Sequence, residues 1–399
     1  VSIPLPLRSS ARWAMSGFEA GDGARPQLVQ AIGARVWSAD GAEYVDFDNA
    51  GGAVLLGHRD PAVIAAVRMA RSRDERRGLD RYKADVAELI QAMAPGAESA
   101  AFGADVSQVL RAALTAARLH TGRERIYACR SAGRGGSHAG YLGGLPTFPF
   151  DELPALERLL EHDGPDVAAL VLAPSSTRAP SPGYLAGVRS LADRHGAVLI
   201  FDEALTGFRV HEGGAQALWG VEADMTVFGE SLANGMPIGA LAGRRDLVTL
   251  ARGAEYLNAD VASLAAAKAV LTKIGAEPVI AALRIAGAEV QAETGALLRA
   301  AGLEDAVTVE GDPAAMRVVF RPGALGLPES DAASMQYLWI SECHAHRLFT
   351  LGALNMSYAH GDREIGVLLA ALHQAVDGLS LALRLAPVHA RRAYVRASA

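Results

Sequence analysis

Three strand-length runs, apolar throughout at 167–172 and 197–201 and broken by one threonine at 225–228, constrain the fold of this chain more than any other feature. A strand that is apolar at every position has both faces buried. Such strands, separated by helical stretches such as 184–194, predict a mainly parallel sheet with helices on both sides, an α/β fold. In sheets of this kind functional groups gather at the carboxyl ends of the strands. The second run ends in Asp202-Glu203 and the third in Gly229-Glu230, so Asp202 and Glu230 are the leading candidates for chemistry.

Other segments read by the same rules. Residues 35–38 and 44–47 form a hairpin pattern around Ala39-Asp40-Gly41. Asp60-Pro61 opens a helix that runs through Met69, with proline in its first turn. Residues 83–93 form a second helix, stopped by Pro95-Gly96, and 109–120 a third, closed by Thr121-Gly122. Helices are expected over 259–273, 281–301 and 362–383, with a strand over 315–320. The expected organisation is an N-terminal segment, 1–45, a large α/β domain, 46–275, and a smaller C-terminal α+β domain, 276–399.

The chain has 399 residues, 50% of them hydrophobic, enough for a sizeable core. Its net charge of −6 gives no support to binding of nucleic acid or of a membrane surface. No apolar run reads as long enough to cross a bilayer. Val1 to Leu7 lack the basic-then-apolar layout of a secretion signal, and a cytoplasmic setting is expected. Cys129 and Cys343, the only cysteines, form no metal or CxxC pattern and read as reduced thiols. No spacing demands a metal. Lys83, Lys268 and Lys273 are the whole lysine set.

Several motifs together resemble the class III (fold type I) aminotransferases that depend on pyridoxal phosphate (PLP), closest to the glutamate-1-semialdehyde aminomutase type. They are Tyr44-Val45-Asp46-Phe47 with Gly57-His58, the segment from His195 to Glu203 with Gly207-Phe208-Arg209, and Gly214-Ala215-Gln216 through Asp224. The stretch from Phe228 to Ala240 and Asn355-Met356-Ser357-Tyr358-Ala359-His360 complete the set. The resemblance implies a fold type I architecture and an active site between the two subunits of a homodimer. It also implies that Asp202 matches the aspartate that pairs with the pyridine nitrogen.

At other family positions this chain departs. The residue after Phe-Gly, which in the family condenses with the cofactor aldehyde, is Glu230, and a carboxylate forms no imine. The family's Ser-Gly-Ser/Thr-Glu-Ala phosphate turn is Asp105-Val106-Ser107-Gln108-Val109, which sets a carboxylate where a dianion would sit. No Phe, Tyr or Trp lies between Arg130 and His138, where the family carries a stacking ring. A threonine that reaches the partner subunit's phosphate is replaced near Tyr256, and Ala173 precedes Pro174 in place of a glutamate. The loop between Tyr141 and Phe150 reads as shortened. The resemblance also places Tyr256 and Asn258 as approaching the cleft from the dimer partner.

Each candidate has a plainer alternative. Glu230 is an acid or base paired with Asp202, or a drifted residue satisfied by Ser231, Asn234 or an arginine. Asp202 either meets a ligand or holds a strand end. Arg209 reads as support for the fold more readily than as a ligand contact, and His360 as structural. The glycine-rich loop 133–138 is an anion site with Arg134 and His138 assisting, or a solvated loop. Asp105, Asp202 and Glu230 together suggest an acidic pocket suited to a small cationic substrate, lined further by Ser107 and Gln108.

Three functions are consistent with these residues. One is a repurposed enzyme using acid/base chemistry without a covalently bound cofactor, in specialised metabolism by analogy. Another is a silent subunit pairing with an active homologue as a heterodimer. A third holds PLP or pyridoxamine phosphate (PMP) non-covalently, as lysine-free relatives in the wider fold do in sugar dehydration.

Overall fold

The computed structural model of the chain describes residues 26–72, 75–130, 144–175, 178–255 and 257–385, with the backbone alone described at 75–78, 230 and 385. The chain forms two compact units. One takes in Ala53–Leu55 and Pro61–Ile280. The other takes in Leu56–Asp60 together with residues 26–52 and 281–385.

The described chain opens on three antiparallel strands of the second unit, β1 (Leu28–Ile32), β2 (Arg35–Ser38) and β3 (Glu43–Asp46). The hairpin read from the sequence is β2–β3, with Val36 opposite Tyr44. The expected boundary at residue 45 falls inside β3.

The first unit begins with α1 (Pro61–Arg71) and α2 (Glu75–Met93). Its sheet uses β4 (Ser99–Gly103), β5 (Arg125–Arg130), β6 (Thr147–Pro149), β7 (Val167–Leu172), β8 (Val198–Glu203), β9 (Met225–Phe228) and β10 (Gly239–Gly243). The strand order is β4-β10-β9-β8-β7-β5-β6. Pairs from β9 through β6 are parallel, and β10 runs antiparallel to both of its neighbours. The helices of this unit are α3 (Val106–Thr121), α4 (Leu153–Asp163), α5 (Tyr184–His195), α6 (Gly214–Trp219), α7 (Arg245–Ala254) and α8 (Val261–Ala276).

Alternation along the strands explains the unbroken apolar runs. Successive strand residues point to opposite faces. In β8, Val198 and Ile200 join a core with Val109, Leu110 and Ala113 of α3 and with Leu247 of α7. Leu199 and Phe201 join the opposite core with Leu156 and Leu160 of α4 and Val188 of α5. Both faces are therefore dry, and no polar position interrupts the strand until Asp202.

The second unit continues with α9 (Val279–Ala301), which belongs to it from Ala281 onward, and then with β11 (Val307–Asp312), β12 (Ala315–Phe320) and α10 (Ala332–Ala345). β13 (Leu348–Phe349), β14 (Ala353–Asn355) and α11 (Asp362–Leu385) complete it. β13 pairs in parallel with β3, so a strand from late in the chain joins the sheet of β1, β2 and β3. β11, β12 and β14 form a separate antiparallel sheet.

One expectation needs correction here. By length and composition α11 is apolar enough to cross a membrane over Asp362–Arg384. Its buried residues Leu368, Ala371, Leu372, Ala375, Val376 and Leu379 recur at helical spacing, and this stripe faces α10, β3 and β13. That is the pattern of a core helix.

The Gly207-Phe208-Arg209 turn is tightly packed. A Cβ on Gly207 would stand 2.3 Å from the Phe228 ring and 2.8 Å from the Glu203 carbonyl oxygen. Phe208 has a left-handed φ of 56° and its ring lies 4.7 Å from that of Phe228. Replacing Gly207 with alanine is expected to cost about 1–3 kcal/mol, because backbone and ring cannot both give way. Gly253→Ala is the control: a Cβ added there would meet nothing within 4 Å, and the site is exposed in α7. It should stabilise by about 0.5–1 kcal/mol. Chemical denaturation of the two variants checks both signs.

Candidate active site at the carboxyl end of the parallel strands

Parallel pairing of β8 with β9 sets Asp202 opposite Val227 and Glu203 opposite Phe228. Asp202 and the backbone of Glu230 therefore meet at the same edge of the sheet. Asp202 is half-buried, and its carboxylate accepts the Ala204 N–H at 3.1 Å. By alternation it lies on the α3 side of the sheet, with Val198 and Ile200.

The next residue does different work. Glu203 is fully buried, and its carboxylate accepts the N–H groups of Ala215 at 2.6 Å and Gln216 at 3.1 Å and the Thr206 hydroxyl at 3.1 Å. It anchors the start of α6 and the turn that follows β8. Burial lifts its pKa to about 7, against the pull of these donors. The sequence motif contained Glu203, yet adjacent carboxylates gave no sign of which one was buried. Its burial holds Asp202 in place from the other face of the strand.

Residues 230–233 form a 3-10 turn after β9. The side chain of Glu230 lies outside the described residues. Two of the partners expected for it are engaged elsewhere. The Ser231 hydroxyl donates to the Ala204 carbonyl at 3.4 Å, and Asn234 Oδ1 accepts the Leu55 N–H at 2.9 Å.

The start of α3 closes over this edge. The helix begins at Val106, three residues earlier than its apolar pattern suggests, because Asp105 caps it. The Asp105 carboxylate accepts the Gln108 N–H at 2.8 Å, and Gln108 Oε1 accepts the Ala104 N–H at 2.7 Å. Two side chains thus satisfy backbone donors around one helix terminus, a reciprocal cap. An aspartate cap is worth about 1 kcal/mol and also meets the positive end of the helix dipole. The Asn258 N–H reaches Gln108 Oε1 at 3.5 Å within the same chain.

Close packing locates this terminus. A Cβ on Gly229 would stand 3.0 Å from Val106 Cγ2 and 2.9 Å from the Ala204 carbonyl oxygen. A Cβ on Gly239 would stand 2.2 Å from the Asp105 carbonyl oxygen. The capped end of α3 therefore abuts the ends of β8 and β9, directly beside Glu230. Val106 and Ser107 are buried there, and Asp105 is exposed.

Of the residues named from sequence, Asp105, Ser107, Gln108, Asn258, Asp202 and the Glu230 backbone belong to the first unit. Arg134, His138 and Tyr256 lie outside the described residues. Arg209 is wholly buried beside Phe208, as a residue supporting the fold would be. His360 belongs to the second unit. It accepts the Ser357 N–H at Nδ1 (3.1 Å), bonds the Asp46 carbonyl through Nε2 (2.9 Å) and stacks on Phe47 at 4.0 Å. Burial pushes its pKa down to about 4. Cys129 and Cys343 are free thiols, and burial pushes each up to about 12. Among the described residues no three His, Cys, Asp or Glu side chains gather as a metal-ligand set.

Comparison with known proteins agrees with this architecture. The sequence model of the family Aminotransferase class-III matches residues 151–360. Glutamate-1-semialdehyde 2,1-aminomutase of Chloroflexus aurantiacus is 35% identical over 245 residues, 55% of this chain and 55% of that protein. The enzyme of the same name from Syntrophobacter fumaroxidans is 35% identical over 254 residues, 57% of this chain and 59% of its own length. The chain thus matches little more than half the length of these curated relatives. Among solved structures, a transaminase with PLP bound superimposes with a TM-score of 0.80 at 23% identity, covering 96% of this chain and 100% of that one. A lysine-to-alanine variant of a glutamate-1-semialdehyde aminomutase from Pseudomonas aeruginosa PAO1, in complex with PMP, gives 0.73 at 21% identity over 89% of this chain and 88% of its own. The chain belongs to the class III aminotransferase family, and its fold is that of fold type I.

The residues of this site do not fit a covalently held PLP. No lysine stands at a strand end: Lys83 lies in α2, Lys268 and Lys273 in α8, and Lys268 is paired with Asp85 at 2.6 Å. The helix terminus beside Glu230 carries its own carboxylate.

Two buried groups predict the pH dependence of stability. Glu203 has its pKa raised from 4.5 to about 7, so its contribution is full below 4.5 and is lost as pH rises through 7. His360 has its pKa lowered from 6.5 to about 4, so its contribution is full above 6.5 and is lost as pH falls towards 4. Thermal melts across pH should show Glu203→Gln flattening the alkaline limb and His360→Gln flattening the acid limb.

Proposed function

We propose that this chain is a class III aminotransferase homologue that does not transaminate. In this reading the carboxylates of Asp202 and Glu230 carry out proton transfer on a small polar, cationic substrate at the carboxyl edge of the parallel sheet. The observation that carries the reading is the adjacency of β8 and β9, which brings an aspartate and a glutamate to one strand edge in a family whose chemistry there needs an amine. In this reading one carboxylate serves as proton donor and the other as acceptor. Asp202, anchored through Glu203, is the fixed partner, and Glu230 follows the short turn after β9.

Acidic residues on three elements, Asp105, Asp202 and Glu230, favour an amine, amino sugar or guanidine over a phosphate. A homodimer in the cytoplasm is the expected setting, and specialised metabolism the expected context.

Absorbance spectroscopy on the purified full chain tests this directly. The expected result is no B6 band after desalting, with or without prior incubation with PLP or PMP. Thermal-shift screening should find stabilisation by small amines that weakens in Asp202→Asn and in Glu230→Gln. A B6 band that survives desalting would instead favour a non-covalent cofactor. Copurification with a lysine-bearing homologue, together with indifference to both substitutions, would favour the silent subunit.

A further inference from the structure

At the start of α3 the structure shows what holds the helix terminus. In the family this turn is the phosphate turn, and here the terminus holds an anion of its own. We propose that the Asp105 carboxylate has taken over the role of a cofactor phosphate, so that the helix terminus is self-capped and the chain rejects phosphorylated B6 compounds. This inference rests on the reading that the chain works without a B6 cofactor, and it names the device that enforces it.

The argument starts from the donors. A helix N-terminus presents unpaired N–H groups and the positive end of the helix dipole, which together attract an anion. Here the Gln108 N–H is held by Asp105 at 2.8 Å and the Ala104 N–H by Gln108 at 2.7 Å. An incoming phosphate would have to displace the carboxylate or sit beside it. Displacement costs the helix its aspartate cap, worth about 1 kcal/mol. Sitting beside it sets a dianion a few ångströms from a carboxylate, and Coulomb repulsion at that range is large even at intermediate dielectric.

Sterics act in the same direction. Val106 is buried, and its Cγ2 lies 3.0 Å from where a Cβ on Gly229 would be. The residue therefore fills space between the helix start and the turn that leads to Glu230. A glycine at 106 would leave that space open to a ligand oxygen, and valine closes it. Charge and volume both change at adjacent positions, 105 and 106, and each change opposes the same ligand group. The self-cap has a second consequence: α3 needs no bound anion to begin.

The test is a binding titration on the full-length protein with PMP, with pyridoxamine as a control that lacks the phosphate, followed by calorimetry or by fluorescence quenching. Three proteins are compared: wild type, Asp105→Asn, and the double variant Asp105→Ser with Val106→Gly. Asparagine caps as well as aspartate but carries no charge, so the single variant keeps the helix start. Wild type should show no saturation by PMP. Asp105→Asn should bind it measurably, and the double variant should bind it more tightly still, by about 100-fold over wild type. Pyridoxamine should bind all three equally weakly, which locates the gain at the phosphate.

Wild-type binding as tight as that of either variant overturns the proposal, as does a gain that pyridoxamine shows equally. Should the double variant fail to fold, Asp105→Asn alone decides: unchanged affinity for PMP refutes the self-cap. A B6 band on the purified wild type would defeat the proposed function itself. Absence of gain in the variants, with no such band, would defeat only the role given to Asp105.

Discussion

The parallel pairing of β8 with β9 is the constraint on which the site depends. A parallel pair brings two carboxyl ends to one edge, and the observed register leaves Asp202 and Glu230 on neighbouring strand ends. The pairing is secured by burial on both faces, with Val198 and Ile200 on one side and Leu199 and Phe201 on the other. Slipping the register by one residue would turn each set towards the wrong core and Asp202 away from α3. Glu203 adds a polar lock at the same point. Its buried carboxylate gathers two N–H groups and a hydroxyl, so the turn after β8 is fixed without any ligand.

Around that edge the electrostatics have one direction. Class III chemistry needs an amine at the end of β9 and an anion-binding helix terminus beside it. This chain has an acid at the first place and an acid bound to the second. Any one of these replacements alone would read as loss of a function. Together they are the basis for proposing a cationic substrate, while scaffold residues such as Gly207 and Gly229 keep the close approaches the fold requires.

Much of this was legible in the sequence. The apolar runs located β7, β8 and β9 because strands dry on both faces leave few polar residues to blur the signal. The Asp-Gly turn located the first hairpin. β4 and β10 escaped because Ser99–Gly103 and Gly239–Gly243 are built of alanine and glycine, which carry little strand preference. The capping role of Asp105 was not read from the sequence. Its three-residue spacing to Gln108 is itself a capping signal, passed over in the sequence, and the cap moves the helix start back from Val109 to Val106. The burial of Glu203 could not be read from sequence, since which of two adjacent carboxylates turns inward depends on which helix covers which face.

The central claim is that no amine of this chain stands where a B6 aldehyde would be held. Borohydride converts an imine to a stable secondary amine, so it traps any such link for mass spectrometry. After incubation of the full chain with one equivalent of PLP and reduction, the account predicts only sparse pyridoxyl label spread over Lys83, Lys268 and Lys273. Stoichiometric label on a single lysine would contradict it.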